Sequence, residues 1–175
     1  MNLWRDIPPG TPDKANIVIE IPRGSRNKYE YNRETGVIEL DRVLFSSMHY
    51  PTDYGFIPQT YYDDDDPIDA LFFSPFFSVT YPGVVVRGRL IGGFRMEDEK
   101  GVDDKLIFVP HEKVFPHQKR ATLEHLPDSL KEEIKYFFSR YKDLENKKAE
   151  FKGWIDLEQA TQIFNRAVQL YKERF

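Results

Sequence analysis

The run Asp63-Asp64-Asp65-Asp66-Pro67-Ile68-Asp69, followed at once by Ala70-Leu71-Phe72-Phe73, decides how this chain is read. Five carboxylates in seven residues repel one another, yet they lead straight into an apolar stretch that reads as a buried strand. A charge cluster tied to a core needs counter-charge, and hard divalent cations are its natural supply. Mg²⁺ and Mn²⁺ prefer carboxylate oxygens, and such sites usually serve phosphate chemistry. Standing alone, an acidic run is more often a solvated turn. In an extended loop, however, Asp64 and Asp66 point the same way, and a turn at Pro67 brings Asp69 back toward them.

Outward from this run, strands fill the first two thirds of the chain. Asn16 to Ile21 is β-branched and stops at Pro22. Lys28 to Asn32 and Val37 to Val43 alternate in character, and Asn32 to Gly36 between them reads as a hairpin loop. Leu71 to Ser74, Val84 to Met96 and Lys105 to Val109 complete the strands, with a bend or bulge expected at Gly92-Gly93. A second acidic group, Glu97 to Lys105, reads as a charged hairpin loop. If it reaches the same barrel end as the first, the two can hold two or more metal ions. The last third turns helical. Leu130, Ile134, Phe137, Phe138, Tyr141 and Leu144 fall near one face of a helix over Asp128 to Leu144. A second helix over Asp156 to Arg174 opens on the capping pair Asp156 and Gln159. The expectation is one α+β domain over residues 1–175: an OB-like closed β-barrel with flanking C-terminal helices.

Composition narrows the function. Aromatics are 15% of 175 residues and the net charge is only −4, which excludes a disordered chain and general electrostatic binding to nucleic acid or membrane. There are no cysteines, so disulfides, Cys-based zinc sites and a cysteine nucleophile are excluded. No signal peptide or transmembrane stretch is legible, and the chain reads as a cytoplasmic protein. Phosphate-loop and dinucleotide fingerprints are absent, and the four histidines are scattered without metal-ligand spacing. Lys28, Arg42, Lys105 and Lys142 are candidates for the substrate oxygens that metals leave uncovered. Lys28 and Arg42, each taken alone, are more often solvated strand residues than ligands.

Asp64-Asp65-Asp66-Pro67-Ile68-Asp69 resembles the Asp-x-Asp-Pro-x-Asp signature of the family I soluble inorganic pyrophosphatases. Other stations match in order: Val18 to Pro22, Lys28-Tyr29-Glu30, Asp41-Arg42, Tyr50 to Gly55, Met96-Glu97-Asp98, Asp103-Asp104-Lys105 and Tyr141 to Glu145. The resemblance implies hydrolysis of pyrophosphate to two orthophosphates by a multi-metal mechanism with Mg²⁺, for which Mn²⁺ or Zn²⁺ are substitutes. It implies Asp66 as general base for a metal-activated water. It assigns Glu20, Glu30, Asp64, Asp69, Asp98 and Asp103 to the metals. Lys28, Arg42, Lys105, Tyr141 and Lys142 would bind phosphate oxygens, and Tyr54 would support the acidic cluster. It also implies a homo-oligomer, expected to be a hexamer. Two departures stand out. Asp65 occupies a place where many bacterial members have Gly, so positive φ is expected at a residue that tolerates it better than most. Tyr136 and Arg140 lie where some relatives carry a histidine pair at a subunit contact. The reading from another class is a non-catalytic acidic module on the same barrel that recognises metal or polyphosphate.

Overall fold

The computed structural model describes residues 1–74 and 80–175. Its strands are β1 (Gly10–Thr11), β2 (Lys14–Ile21), β3 (Asn27–Tyr31), β4 (Ile38–Val43), β5 (Asp53–Phe56), β6 (Asp69–Phe72), β7 (Val85–Asp98), β8 (Gly101–Pro110) and β9 (Ala149–Ile155). Its α-helices are α1 (Asp128–Arg140) and α2 (Leu157–Arg174). Strands β2, β5, β6, β8 and β7 pair in that order, and β7 pairs back onto β2, closing a ring. Within it only β6 and β8 run parallel. β1 and β9 extend the sheet from β2 and β7, while β3 and β4 form a separate hairpin. This is the expected α+β architecture.

The apolar runs of the ring follow from burial on both faces. Along β8, Leu106 and Phe108 join one core cluster and Ile107 and Val109 another, as a period of two requires. The first cluster takes Ala160, Phe164 and Ala167 from α2, and the second takes Ile134, Phe137 and Phe138 from α1. Both clusters need apolar side chains, so no polar position interrupts the run. Gly55 on β5 is a close approach: a Cβ there would sit 1.9 Å from the Val18 carbonyl oxygen. The register of β7 against β8 shifts between Leu90 and Gly92, and Gly92 has φ +153°, so the expected bulge is present. Asp156 caps α2 by accepting the Gln159 amide at 2.8 Å.

Three expectations need correction. The segment Glu97 to Lys105 is not a loop. β7 runs to Asp98 and β8 begins at Gly101, so Asp103, Asp104 and Lys105 are paired strand residues. The first helix ends at Arg140 rather than Leu144; Tyr141 is its C-cap, a 3₁₀ turn covers Asp143–Glu145, and Leu144 is exposed. The break containing Gly153 holds β9, which pairs with β7. Its short, half-exposed sequence, AEFKGWI, gives a weak signal beside the two helices.

Candidate active site

Alternation along β7 and β8 also sorts the charges. Asp103 and Lys105 share the Ile107 face of β8, beneath the C-terminal end of α1. Asp98 follows Phe94 and Met96 onto the same side of β7. Asp69 opens β6 on the face of Leu71, directly across from Lys105. Asp104 points the other way, toward Tyr62 and α2. One residue of offset thus separates the cleft from the opposite face.

The cleft is a cavity of about 310 Å³. It is lined by every residue to which the resemblance assigns a site role: Glu20, Lys28, Glu30, Arg42, Tyr54, Asp64, Asp66, Asp69, Asp98, Asp103, Lys105, Tyr141 and Lys142. Segments far apart in the chain supply them: ring strands, the β3–β4 hairpin and the end of α1 meet at this cleft. Sequence reasoning missed four neighbours. Arg33, Lys100 and Lys147 also line the cavity, and buried Glu145 holds Arg42 Nε at 2.9 Å. Glu145 stood within a quoted match, whereas isolated basic residues in loops give no signal of their own.

Lys105 is the hub. Its ammonium is almost fully buried and donates to Asp69 at 2.6 Å, to Asp103 at 3.0 Å and to the Tyr54 hydroxyl at 3.0 Å. The two carboxylates hold its pKa above the ordinary lysine value despite the opposing effect of burial. Lys28 pairs with Glu30 and lies 3.7 Å from Asp41. Burial, then the charge of Arg42, pulls Lys28 down; burial, then Lys105, does the same to Lys142. Tyr141 stacks on Phe137 with ring centroids 5.0 Å apart. Glu20 accepts the Tyr31 amide at 2.7 Å. In the acidic loop, Asp65 adopts φ +67°, as expected, and its carboxylate accepts from the Tyr61 hydroxyl. Asp64 accepts the Asp66 amide at 3.2 Å.

The donor set fits hard divalent cations. It offers carboxylate oxygens and no sulfur. Burial, then Asp69 among the neighbouring charges, pushes Glu20 up to about 8. Desolvation, then Asp69 and Asp103, pushes Asp64 up to about 7. At Glu20 burial outweighs the nearby charge of Lys28. Among the described residues, no group of three side chains already stands as a formed metal cage. Lys105 instead draws Asp69 and Asp103 to itself.

A pH dependence of stability follows. A carboxyl group with a raised folded-state pKa keeps a proton that the unfolded chain, titrating at 4.5 or 3.8, has already lost. Folding stability then falls as pH rises from the unfolded value through the folded one. We expect the melting temperature in EDTA to drop between about pH 5 and pH 8, and Glu20→Gln to flatten the slope. MgCl₂ should flatten it more than NaCl of equal ionic strength, because a cation bound only to the folded cleft stabilises it by mass action. A slope that is flat in EDTA, or altered equally by both salts, contradicts this electrostatic account.

A closed barrel that gathers carboxylates and cations from so many strands into one small cleft defines an enzyme of phosphate chemistry. Residues 17–172 match the family described as Inorganic pyrophosphatase. The inorganic pyrophosphatase of Aquifex pyrophilus is 45% identical over 174 residues, covering 97% of each chain. That of Haloferax volcanii is 43% identical over 100% of this chain and 99% of its own. The crystal structure of the inorganic pyrophosphatase from Thermus thermophilus superposes with a TM-score of 0.91 at 41% identity, covering 98% of this chain and 99% of that one. The chain belongs to the inorganic pyrophosphatase family, among its family I soluble enzymes.

Proposed function

We propose that this protein hydrolyses inorganic pyrophosphate to two orthophosphates, with Mg²⁺ as its principal cation and Asp66 as general base. The charge inventory of the cleft carries the reading. Glu20, Glu30, Asp64, Asp66, Asp69, Asp98 and Asp103 face Lys28, Arg33, Arg42, Lys100, Lys105, Lys142 and Lys147, seven against seven. A polyanion that recruits the cations leaves the carboxylates uncompensated, and divalent cations offset them. Substrate and metal therefore complement one another in this cleft.

Glu20, Glu30, Asp64, Asp69, Asp98 and Asp103 are the residues that would hold the metals. Divalent cations bound there supply neutralisation of phosphate charge and acidification of nearby water. Lys28 and Lys142, crowded by burial and like charge, gain most from an arriving anion. With Arg42, Lys105 and the Tyr141 hydroxyl they bind phosphate oxygens and stabilise the charge that builds on the leaving phosphate. Tyr54 keeps the Lys105 ammonium in place through its hydroxyl. Asp66 takes the proton of the attacking water as the new P–O bond forms and the bridging P–O bond breaks.

Phosphate release from pyrophosphate by the purified protein, with and without millimolar Mg²⁺ at neutral pH, tests this directly. Mg²⁺-dependent release is expected, with Mn²⁺ or Zn²⁺ as partial substitutes. Ca²⁺ should replace it poorly, because it is larger and takes more ligands. Folded protein that releases no phosphate would favour a binding module instead. Among the described residues no helix is long and apolar enough to cross a membrane. We place the enzyme in the cytoplasm as a homo-oligomer, hexameric as the resemblance implies, which sedimentation velocity can check.

A further inference from the structure

We propose that Arg33, seated on the ring of Trp4, is a positioning residue for Asp66. The inference rests on the reading of Asp66 as general base. Arg33 belongs to the hairpin loop between β3 and β4, where an arginine usually reaches into solvent. Here its guanidinium makes an ion pair, a hydrogen bond and a ring contact. Nη2 lies 2.9 Å from Asp66 Oδ1, Nη1 donates to the Asp65 carbonyl oxygen at 2.9 Å, and Cζ lies 5.3 Å from the centroid of the Trp4 ring. The first is an ion pair, the second a hydrogen bond to backbone, and the third a cation–π contact.

The platform is rigid. Trp4 is 2% exposed, its indole N–H donates to the Thr60 carbonyl at 3.0 Å, and it packs edge-on against Tyr171 and Phe175 near the end of α2. The start and end of the chain thus converge beneath the acidic loop. An ordinary surface ion pair contributes little and fixes nothing. The Asp65 carbonyl and the Trp4 ring hold the guanidinium, and so set its charge beside Asp66 Oδ1. Arg33 takes Oδ1, so Oδ2 is left as the acceptor for the proton of the attacking water. Because Asp64 also accepts the Asp66 amide, the same clamp steadies the loop as a whole.

The test is a double-mutant cycle on kcat at saturating Mg²⁺ and pyrophosphate, using Arg33→Ala, Asp66→Asn and the pair. Arg33→Ala should lower kcat about ten- to a hundredfold, the range for a misplaced catalytic group, with KM for pyrophosphate nearly unchanged. In the Asp66→Asn background the same change should cost little, because the group being positioned is already lost. Arg33→Lys, which keeps the charge but not the fork, should recover only part. Hydrogen exchange in metal-free protein supplies a readout besides activity: amides 62–66 should exchange faster in Arg33→Ala. Equal losses in both backgrounds, a loss confined to KM, or unchanged kcat with unchanged exchange would overturn the proposal. Asp66→Asn at full kcat would instead remove the general-base reading beneath it, so the two failures are distinguishable.

Discussion

Asp66→Asn should lower kcat about 10²- to 10⁴-fold, the usual range for a positioned general base. That corresponds to about 3–5 kcal/mol of lost transition-state stabilisation. The substitution nearly preserves size and leaves an oxygen able to accept from Arg33. The side chain of Asp66 is 57% exposed, so losing its ion pair should scarcely affect folding. The variant should melt within a few degrees of the parent while turning over far more slowly. More Mg²⁺ should not rescue it, because the missing group is a proton acceptor. Asp69→Asn is the contrast. Its carboxylate lies inside the cleft beside Lys105 and Asp103, and its change should raise the Mg²⁺ needed for half-maximal rate while much of kcat returns at high Mg²⁺. Steady-state kinetics across a Mg²⁺ series separates the two. Normal turnover in both variants would reject the assigned roles.

The contrast between these neighbours shows how much of the site is legible in sequence. Asp64, Asp66 and Asp69 are conspicuous because charge sits against an apolar run, a local signal. Their partners come from β2, β3, β4, β7, β8 and the end of α1, and only the tertiary fold, the ring with the β3–β4 hairpin and α1 against it, sets them around one cavity. No spacing rule links Glu20 to Lys142. Here the family resemblance supplied what local pattern could not. The barrel itself was readable from alternation and β-branching, since most of its strands are strongly patterned. Asp53–Phe56 and Ala149–Ile155 were not. One is four residues long around Gly55; the other is mixed in polarity and lies between two strong helices.

The misreading of Glu97 to Lys105 is more instructive. Charge density made the segment resemble a loop, although strand residues tolerate charge wherever the face is a functional cleft. Read as a strand, period two separates Asp103 and Lys105 from Asp104. It assigns the first two to the cleft and sends the third to the opposite face. Asp104 has the same chemistry as its neighbour Asp103 in the cleft and different partners, and the offset of one residue makes that difference.

That opposite face gives a second large expected effect: Arg95→Met should lower the melting temperature by about 2–12 °C while leaving kcat at 25 °C nearly unchanged. The Asp104 side chain is fully buried and accepts from Arg95 Nε at 2.7 Å, Arg95 Nη2 at 2.8 Å and the Tyr62 hydroxyl at 2.8 Å. Arg95 and Asp104 are direct cross-strand partners on β7 and β8, so the pair fixes register beside the strand that carries Asp103 and Lys105. Removing the guanidinium leaves a buried carboxylate with one neutral donor. Breaking a fully buried pair from one side costs about 3–5 kcal/mol; the Arg95 side chain is 46% exposed, and solvent screening brings the cost to about 1–3 kcal/mol. For a chain of this size, each kcal/mol moves the melting temperature by about 2–4 °C. Removing the charge as well should reverse much of the loss. The double variant Arg95→Met with Asp104→Asn is therefore expected to melt above Arg95→Met alone, since no buried charge remains unpaired. Both side chains lie on the far side of their strands from the cleft, which is why turnover below the transition should persist. Calorimetry of the two variants beside the parent decides the matter. A shift below about 2 °C for Arg95→Met, or a double variant that melts lower still, would mean that Asp104 does not depend on Arg95 for its compensation.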